Sequence, residues 1–244
     1  MNDLEIVNLL HERMLEIYHQ EKLKCLRGST YDNYIINGRN ILEWHSKATS
    51  NLKQKFNHFE NLDNMLIISD EIMYFTAQLY FFRPYLYNPL ENPIRVRGKV
   101  YYPYKMYLSD RRYFMFSEIV IEKIYGFWGQ IANLLAASLY DEVNDYQIFF
   151  PVILQKISNQ TSENFLWLDN FMKHEYAEIN SHRRMIVHHR GLETKFRADH
   201  NKSFSSQEDI EKLIHERDEL PDYFKMHIEL TLTGFEKSLE LVSE

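Results

Sequence analysis

The chain has 244 residues, 45% of them apolar and 26% charged, which is enough to bury one good core in one or two domains and excludes a disordered or collagen-like composition. A formal net charge of −7 excludes coating of nucleic acid by bulk attraction, so any such contact must use a local basic face. The single cysteine, Cys25, excludes an internal disulfide, a thiolate metal site and a Cys-x-x-Cys redox motif.

Seven glycines and six prolines are too few for a sandwich or barrel, which needs a turn signal roughly every 8–12 residues. The first residues, Met1-Asn2-Asp3-Leu4-Glu5, lack a basic region followed by an apolar one, so no signal peptide is expected. The most apolar stretch, Tyr125 to Tyr140, carries Gln130 and Asn133 and falls short of the roughly 20 residues that span a bilayer. The expectation is a cytoplasmic protein with no membrane contact.

Residues 4–24 read as an amphipathic helix, with Leu4, Val7, Leu10, Met14 and Ile17 at steps of three and four. Arg27-Gly28-Ser29 ends it, and Thr30 is the expected cap of the next segment. That segment, 30–59, is polar and weakly patterned and is read as helical. A denser helix runs from Leu62 to Phe82 and closes at Arg83-Pro84, because a residue before proline is pushed out of the α region.

Residues 84–109 form the main irregular stretch, with a hairpin expected to turn at Arg97-Gly98. Between Arg83 and Arg112 stand seven basic side chains against two acidic ones, with six tyrosines interleaved. Such a mixture can grip a single strand through phosphate contact and base stacking, which makes Arg95, Arg97 and Lys99 candidate RNA-binding residues. It is equally the pattern of a solvated loop whose tyrosines lie on a bundle.

A long helix is expected from Ser109, as N-cap, to about Tyr140. Gly126, Gly129, Ala132, Ala136 and Ala137 would allow close helix–helix approach there. Asp141-Glu142-Val143-Asn144-Asp145 reads as a turn, and 146–157 as a shorter helix begun or bent at Pro151. Ser162 should cap one further long helix, patterned by Phe165, Leu168, Phe171, Tyr176, Ile179 and Ile186 and stopped at Gly191. A polar loop over 191–205, a charged helix from Ser206 to Glu219 and a last helix from Pro221 complete an all-α bundle of about seven helices. Residues 1–60 read as an N-terminal helical extension and 61–244 as the bundle proper.

Common catalytic signatures are missing. No glycine-rich phosphate loop and no Gly-x-Ser-x-Gly elbow occurs, and His11-Glu12, His174-Glu175 and His215-Glu216 all lack the second histidine of a zinc-protease helix. The densest chemistry lies in Asn180-Ser181-His182-Arg183-Arg184-Met185-Ile186-Val187-His188-His189-Arg190. Three histidines and three arginines there suit a site that holds phosphate and moves a proton. They also suit a basic run that complements a helix C-terminus. A metal site from His182 and His189 with Glu175 or Glu178 is opposed by the arginines among those ligands, so no metal or other cofactor is expected.

Arg183-Arg184-Met185-Ile186-Val187-His188 has the Arg-x4-His spacing of the HEPN (higher eukaryotes and prokaryotes nucleotide-binding) superfamily, and its Ile-Val-His ending resembles the way that motif often closes. Tyr176-Ala177-Glu178-Ile179-Asn180, the second histidine His189, and the stretch Ser117 to Trp128 resemble a branch of longer, free-standing bacterial HEPN proteins. The resemblance implies a HEPN-like helical bundle and a metal-independent endoribonuclease of toxin–antitoxin, phage-defence or RNA-processing type. It also implies a homodimer in which two motifs face each other, RNA as substrate and an antitoxin-type partner protein. A HEPN-fold module that binds nucleotide, RNA or protein without cleaving is the alternative. By motif position Arg183 would contact the scissile phosphate and His188 would act as general acid and base. Arg184, His189, Asn180 and Glu122 are auxiliary candidates, Glu122 as an orienting group for Arg183. On an ideal helix Arg183 and His188 lie about 140° apart, whereas Asn180, Arg184 and His188 share a face.

Overall fold

The computed structural model describes residues 3–28, 33–50, 52, 57–139 and 144–244. The fold is all-α. Its helices are α1 (Asp3–Gln20), α2 (Ile41–Thr49), α3 (His58–Phe82), α4 (Leu108–Ala137), α5 (Phe150–Leu154), α6 (Glu163–Lys173), α7 (Glu175–His188), α8 (Leu192–Ser203), α9 (Gln207–Asp218) and α10 (Leu220–Ser243). Two small antiparallel hairpins accompany them, β1 (Ile35–Ile36) with β2 (Arg39–Asn40), and β3 (Ile94–Val96) with β4 (Lys99–Tyr101). Thr30 and the turn residues Asp141, Glu142 and Val143 lie outside the described residues. No described helix is long and apolar enough to cross a membrane.

Several elements follow directly from local chemistry. Ser162 caps α6 by accepting from the Phe165 amide at 3.1 Å, and Ser206 caps α9 by accepting from Asp209 at 3.3 Å. The β3–β4 hairpin turns at Arg97-Gly98, where both residues take positive φ, 50° and 79°.

Other elements depart from the sequence reading. Residues 33–40 form a hairpin instead of a helix, because Asn37 and Gly38 (φ 49° and 77°) supply the left-handed pair that such a turn demands. Helix α1 ends at Gln20, and of its expected stripe only Met14 and Ile17 are buried, while Leu4, Val7 and Leu10 are exposed. The long helix expected from Ser162 to Arg190 breaks at His174 (φ −114°, ψ −84°), giving α6 and α7. The expected polar loop over 191–205 is helix α8, which is amphipathic only through Phe196 and His200, too sparse a pattern to stand out among its charges.

The chain divides into two compact units. One comprises Met1–Lys22, Tyr74–Val120 and Arg183–Lys225, the other Leu23–Met73, Ile121–His182 and Met226–Glu244. The first is organised around Asp110, which is fully buried. Asp110 lies in the first turn of α4, where one carboxylate oxygen accepts from the Tyr107 amide at 3.1 Å, the reciprocal arm of a capping box. Its other oxygen accepts from the Tyr87 amide at 3.2 Å and the Tyr104 hydroxyl at 2.9 Å. Buried Arg217 of α9 stands 3.8 Å from the same oxygen and donates to the Tyr87 carbonyl at 2.9 Å. Ser109, the expected cap, instead donates to the Tyr85 carbonyl at 2.8 Å. The tyrosines of the irregular stretch are thus largely spent on packing, with Tyr87 and Tyr102 buried and Tyr104 tied to Asp110.

The second unit is built on an aromatic stack. Trp128 of α4 lies 4.0 Å, centroid to centroid, from Phe171 of α6 and 4.9 Å from Phe150 of α5. Gly126 and Gly129, expected to admit a neighbouring helix, face open space. The close approach is made by Gly234 of α10, where a Cβ would overlap the Trp128 indole. Helix α10 buries a second row beside its apolar stripe, His227, Thr231 and Ser238, on the side that Gly234 leaves narrow.

A buried carboxylate with this many donors leaves several of them orphaned when it is removed. Asp110→Ala should cost roughly 3–5 kcal/mol, measured as a shift in the denaturant midpoint by far-ultraviolet circular dichroism. A change below about 1 kcal/mol would mean that Asp110 does not hold this region together.

Candidate functional site

Helix α7 buries Tyr176 and Ile179, and its exposure rises toward the C-terminus. Arg183, His182, Met185 and Ile186 are half-buried, as is Asn180, whereas Arg184, His188, His189 and Arg190 are exposed. Helical periodicity accounts for this: Arg183 falls on the side of Tyr176 and Ile179, and Arg184 and His188 fall on the opposite, solvent side with Ser181. Arg183 and Glu122 are each engaged by other groups of the protein. The structure therefore sets Arg184 and His188 together on an open face and places Arg183 on the inward side of the same helix.

The end of α7 is fixed from two directions. The amides of His189 and Arg190 both donate to the Met185 carbonyl at 2.9 Å, which closes the helix. Gly191, the expected stop, follows in an extended conformation (φ −60°, ψ 157°) and is the N-cap residue of α8. The Leu192 amide donates to Glu118 Oε1 of α4 at 2.6 Å. Burial raises the Glu118 carboxyl above the usual carboxylate range, and the Leu192 hydrogen bond partly opposes it. A carboxylate at the start of a helix is favoured there by the exposed amides and the dipole. A Cβ at position 191 would sit 2.6 Å from that oxygen, so a larger residue there would require the Glu118 side chain to shift off the Leu192 amide.

Sequence reasoning missed Glu118, although it stands four residues before Glu122 in a helix otherwise rich in apolar residues. It also missed His227 of α10, which is fully buried. Burial first, and the charge of neighbouring His182 second, hold His227 below the ordinary histidine value of 6.5, at about 4. The signal was the row His227, Thr231, Gly234, Ser238 at helical spacing. Small and polar side chains there marked a second packed side of α10.

The hairpin candidates Arg95, Arg97 and Lys99 are all exposed, on β3, at its turn and on β4. Among the described residues no group of three or more His, Cys, Asp or Glu is arranged to hold a metal ion. Compared with protein-family models, curated proteins and solved structures, the chain matches none.

Two outcomes test this geometry. Gly191→Ala should destabilise by about 1 kcal/mol by displacing Glu118 from the Leu192 amide, and the cost should shrink in a Glu118→Ala background, where the displaced carboxylate is gone. Equal costs in both backgrounds would refute the tether. Acid should also act through His227. Its buried neutral ring contributes fully above 6.5, where folded and unfolded chains are both unprotonated, and loses that contribution as pH falls toward about 4. The loss should reach roughly 3 kcal/mol. Urea unfolding at about pH 7 and about pH 4.5 should show it, and a His227→Leu variant should show a smaller difference.

Proposed function

We propose that this chain is a HEPN-type, metal-independent endoribonuclease that acts as a homodimer through the Arg-x4-His motif of α7, in a toxin–antitoxin, phage-defence or RNA-processing role. The observation that supports this reading best is the placement of His188 and Arg184 on the open face of an anchored helix end in an all-α fold. In such a reaction the 2′-hydroxyl attacks the adjacent phosphorus, the O2′–P bond forms and the P–O5′ bond breaks. The products are a 2′,3′-cyclic phosphate and a free 5′-hydroxyl. One proton leaves O2′ and one is delivered to O5′. An imidazole titrating near neutrality is suited to both transfers, and His188 takes this role with His189 beside it. A guanidinium offers a fork of donors to the phosphate oxygens as charge builds there. Because Arg183 and His188 point about 140° apart on one helix, a second copy of the motif is what would complete the set around one phosphate.

A second reading is a HEPN-fold module that binds RNA, nucleotide or an antitoxin-type partner without cleaving. The half-burial of Arg183 and its existing interaction favour that reading.

The test is a cleavage assay on total RNA in chelator-treated buffer. His188→Ala should lower the rate by roughly 10²–10⁴, and EDTA should leave the wild type unchanged. Undiminished cleavage by His188→Ala would remove His188 from the mechanism. Binding without any turnover by the wild type would favour the second reading.

A further inference from the structure

The β3–β4 hairpin carries a feature that its charge alone does not explain. Ile94 pairs with Tyr101 and Val96 with Lys99, so these four share one side of the ribbon, while Arg95 pairs with Val100 on the other. Ile94 and Val96 are 48% and 47% exposed. On the first side the Tyr101 ring stacks on Phe204, at the end of α8, with centroids 5.1 Å apart and planes within 18°. Phe204 remains 42% exposed. The stack is buttressed. The Tyr102 amide donates to the Phe204 carbonyl at 2.7 Å, and the buried Tyr102 hydroxyl donates to Gln207 of α9 at 3.0 Å.

Around this mount, no described carboxylate pairs with the side chains of Arg95, Arg97 or Lys99, and all three are exposed. Lys202, close to Phe204 in the chain, is by contrast held by Asp199 at 3.0 Å. Three uncompensated cations on one short hairpin are notable in a chain of net charge −7. Charges on an open hairpin protect it from edge-to-edge pairing. Edge protection does not require an aromatic stack held rigid at the surface beside exposed aliphatic side chains.

We infer that this hairpin is a platform for single-stranded RNA. A base extends the Tyr101–Phe204 stack, and Lys99 on the same side of the ribbon and Arg97 at its turn contact the flanking phosphates. Stacking accepts any base and needs an unpaired one, which selects a single strand over a duplex. The inference rests on the reading that RNA is what the protein engages. It does not require cleavage.

The test uses the full chain and a 5′-labelled single strand of about ten nucleotides carrying 2′-O-methyl groups, which remove the attacking hydroxyl so that binding is read without cleavage. Fluorescence anisotropy gives the affinity over a range of salt. Phe204→Ala should weaken binding about tenfold, and Phe204→Trp should retain it. The Arg97→Ala/Lys99→Ala variant should lower the slope of log affinity against log salt by about 1.4, at roughly 0.7 per phosphate contact. Circular dichroism verifies that each variant is folded, and Arg97→Lys, which keeps the charge, should keep the slope.

The platform is overturned if the strand does not bind, if the folded variants bind like the wild type, or if a duplex of the same sequence binds as well. Equal binding of a polyglutamate peptide also overturns it, since the cations would then serve an acidic protein. The same preparations on an unmodified strand separate the two claims. Variant-sensitive binding without wild-type cleavage sinks the nuclease reading and leaves the platform. His188-dependent cleavage that the hairpin variants leave unchanged, together with unchanged binding, does the reverse.

Discussion

The constraint on which the first unit depends is the full burial of the Asp110 carboxylate. A charge taken out of water is tolerable only when nearly every lone pair meets a donor and an opposite charge lies near. Here those demands are met by residues far apart in sequence: Tyr87, Tyr104 and Tyr107 from the proline-rich stretch and Arg217 from α9. One side chain thereby fixes where α4 begins and gives an irregular segment a set path. Its ion pair with Arg217 also ties in α9, which is held further by the Arg217 bond to the Tyr87 carbonyl and by the Tyr113 hydroxyl donating to the Arg217 carbonyl at 2.6 Å. The β3–β4 hairpin lies within this anchored segment, with Arg95 on β3, Arg97 at the turn and Lys99 on β4.

How much of this was legible in the sequence varied with the kind of signal. Features set by one residue's backbone or capping chemistry were readable: Ser162, Ser206, and the turn at Arg97-Gly98. The Asn37-Gly38 turn carried the same kind of signal but lay in a polar stretch, where two-residue strands leave no alternation to read. Helix α8 escaped notice because two buried side chains on twelve residues make almost no periodic pattern. The break at His174 was hidden for the opposite reason, since apolar spacing continues through it from Phe171 to Tyr176 and Ile179.

The chemistry of the α7 end was legible as composition and spacing, but its presentation was not. Spacing pairs Arg183 with His188, while the helix surface pairs Arg184 with His188 and turns Arg183 inward. Glu118 could not be read as the support of this region from sequence, because its role depends on α4 passing beside the first peptide of α8. What was visible was a glutamate in an apolar helix; its partner, a backbone amide, leaves no trace in residue identity. The same holds for Gly234, whose importance comes from a tryptophan about a hundred positions away in the chain.

The aromatic stack of the second unit has a consequence for how the protein can be observed. The tryptophans are Trp44, Trp128 and Trp167, and all belong to that unit. Trp128 is fully buried against Phe171, so its emission will change sharply when the stack opens. The unit containing Asp110, Arg217 and the end of α7 has only tyrosines as aromatic emitters. Tryptophan fluorescence therefore watches one half of the molecule and is blind to the other. Agreement or disagreement between that signal and the backbone's circular dichroism is a direct measure of whether the two units unfold together.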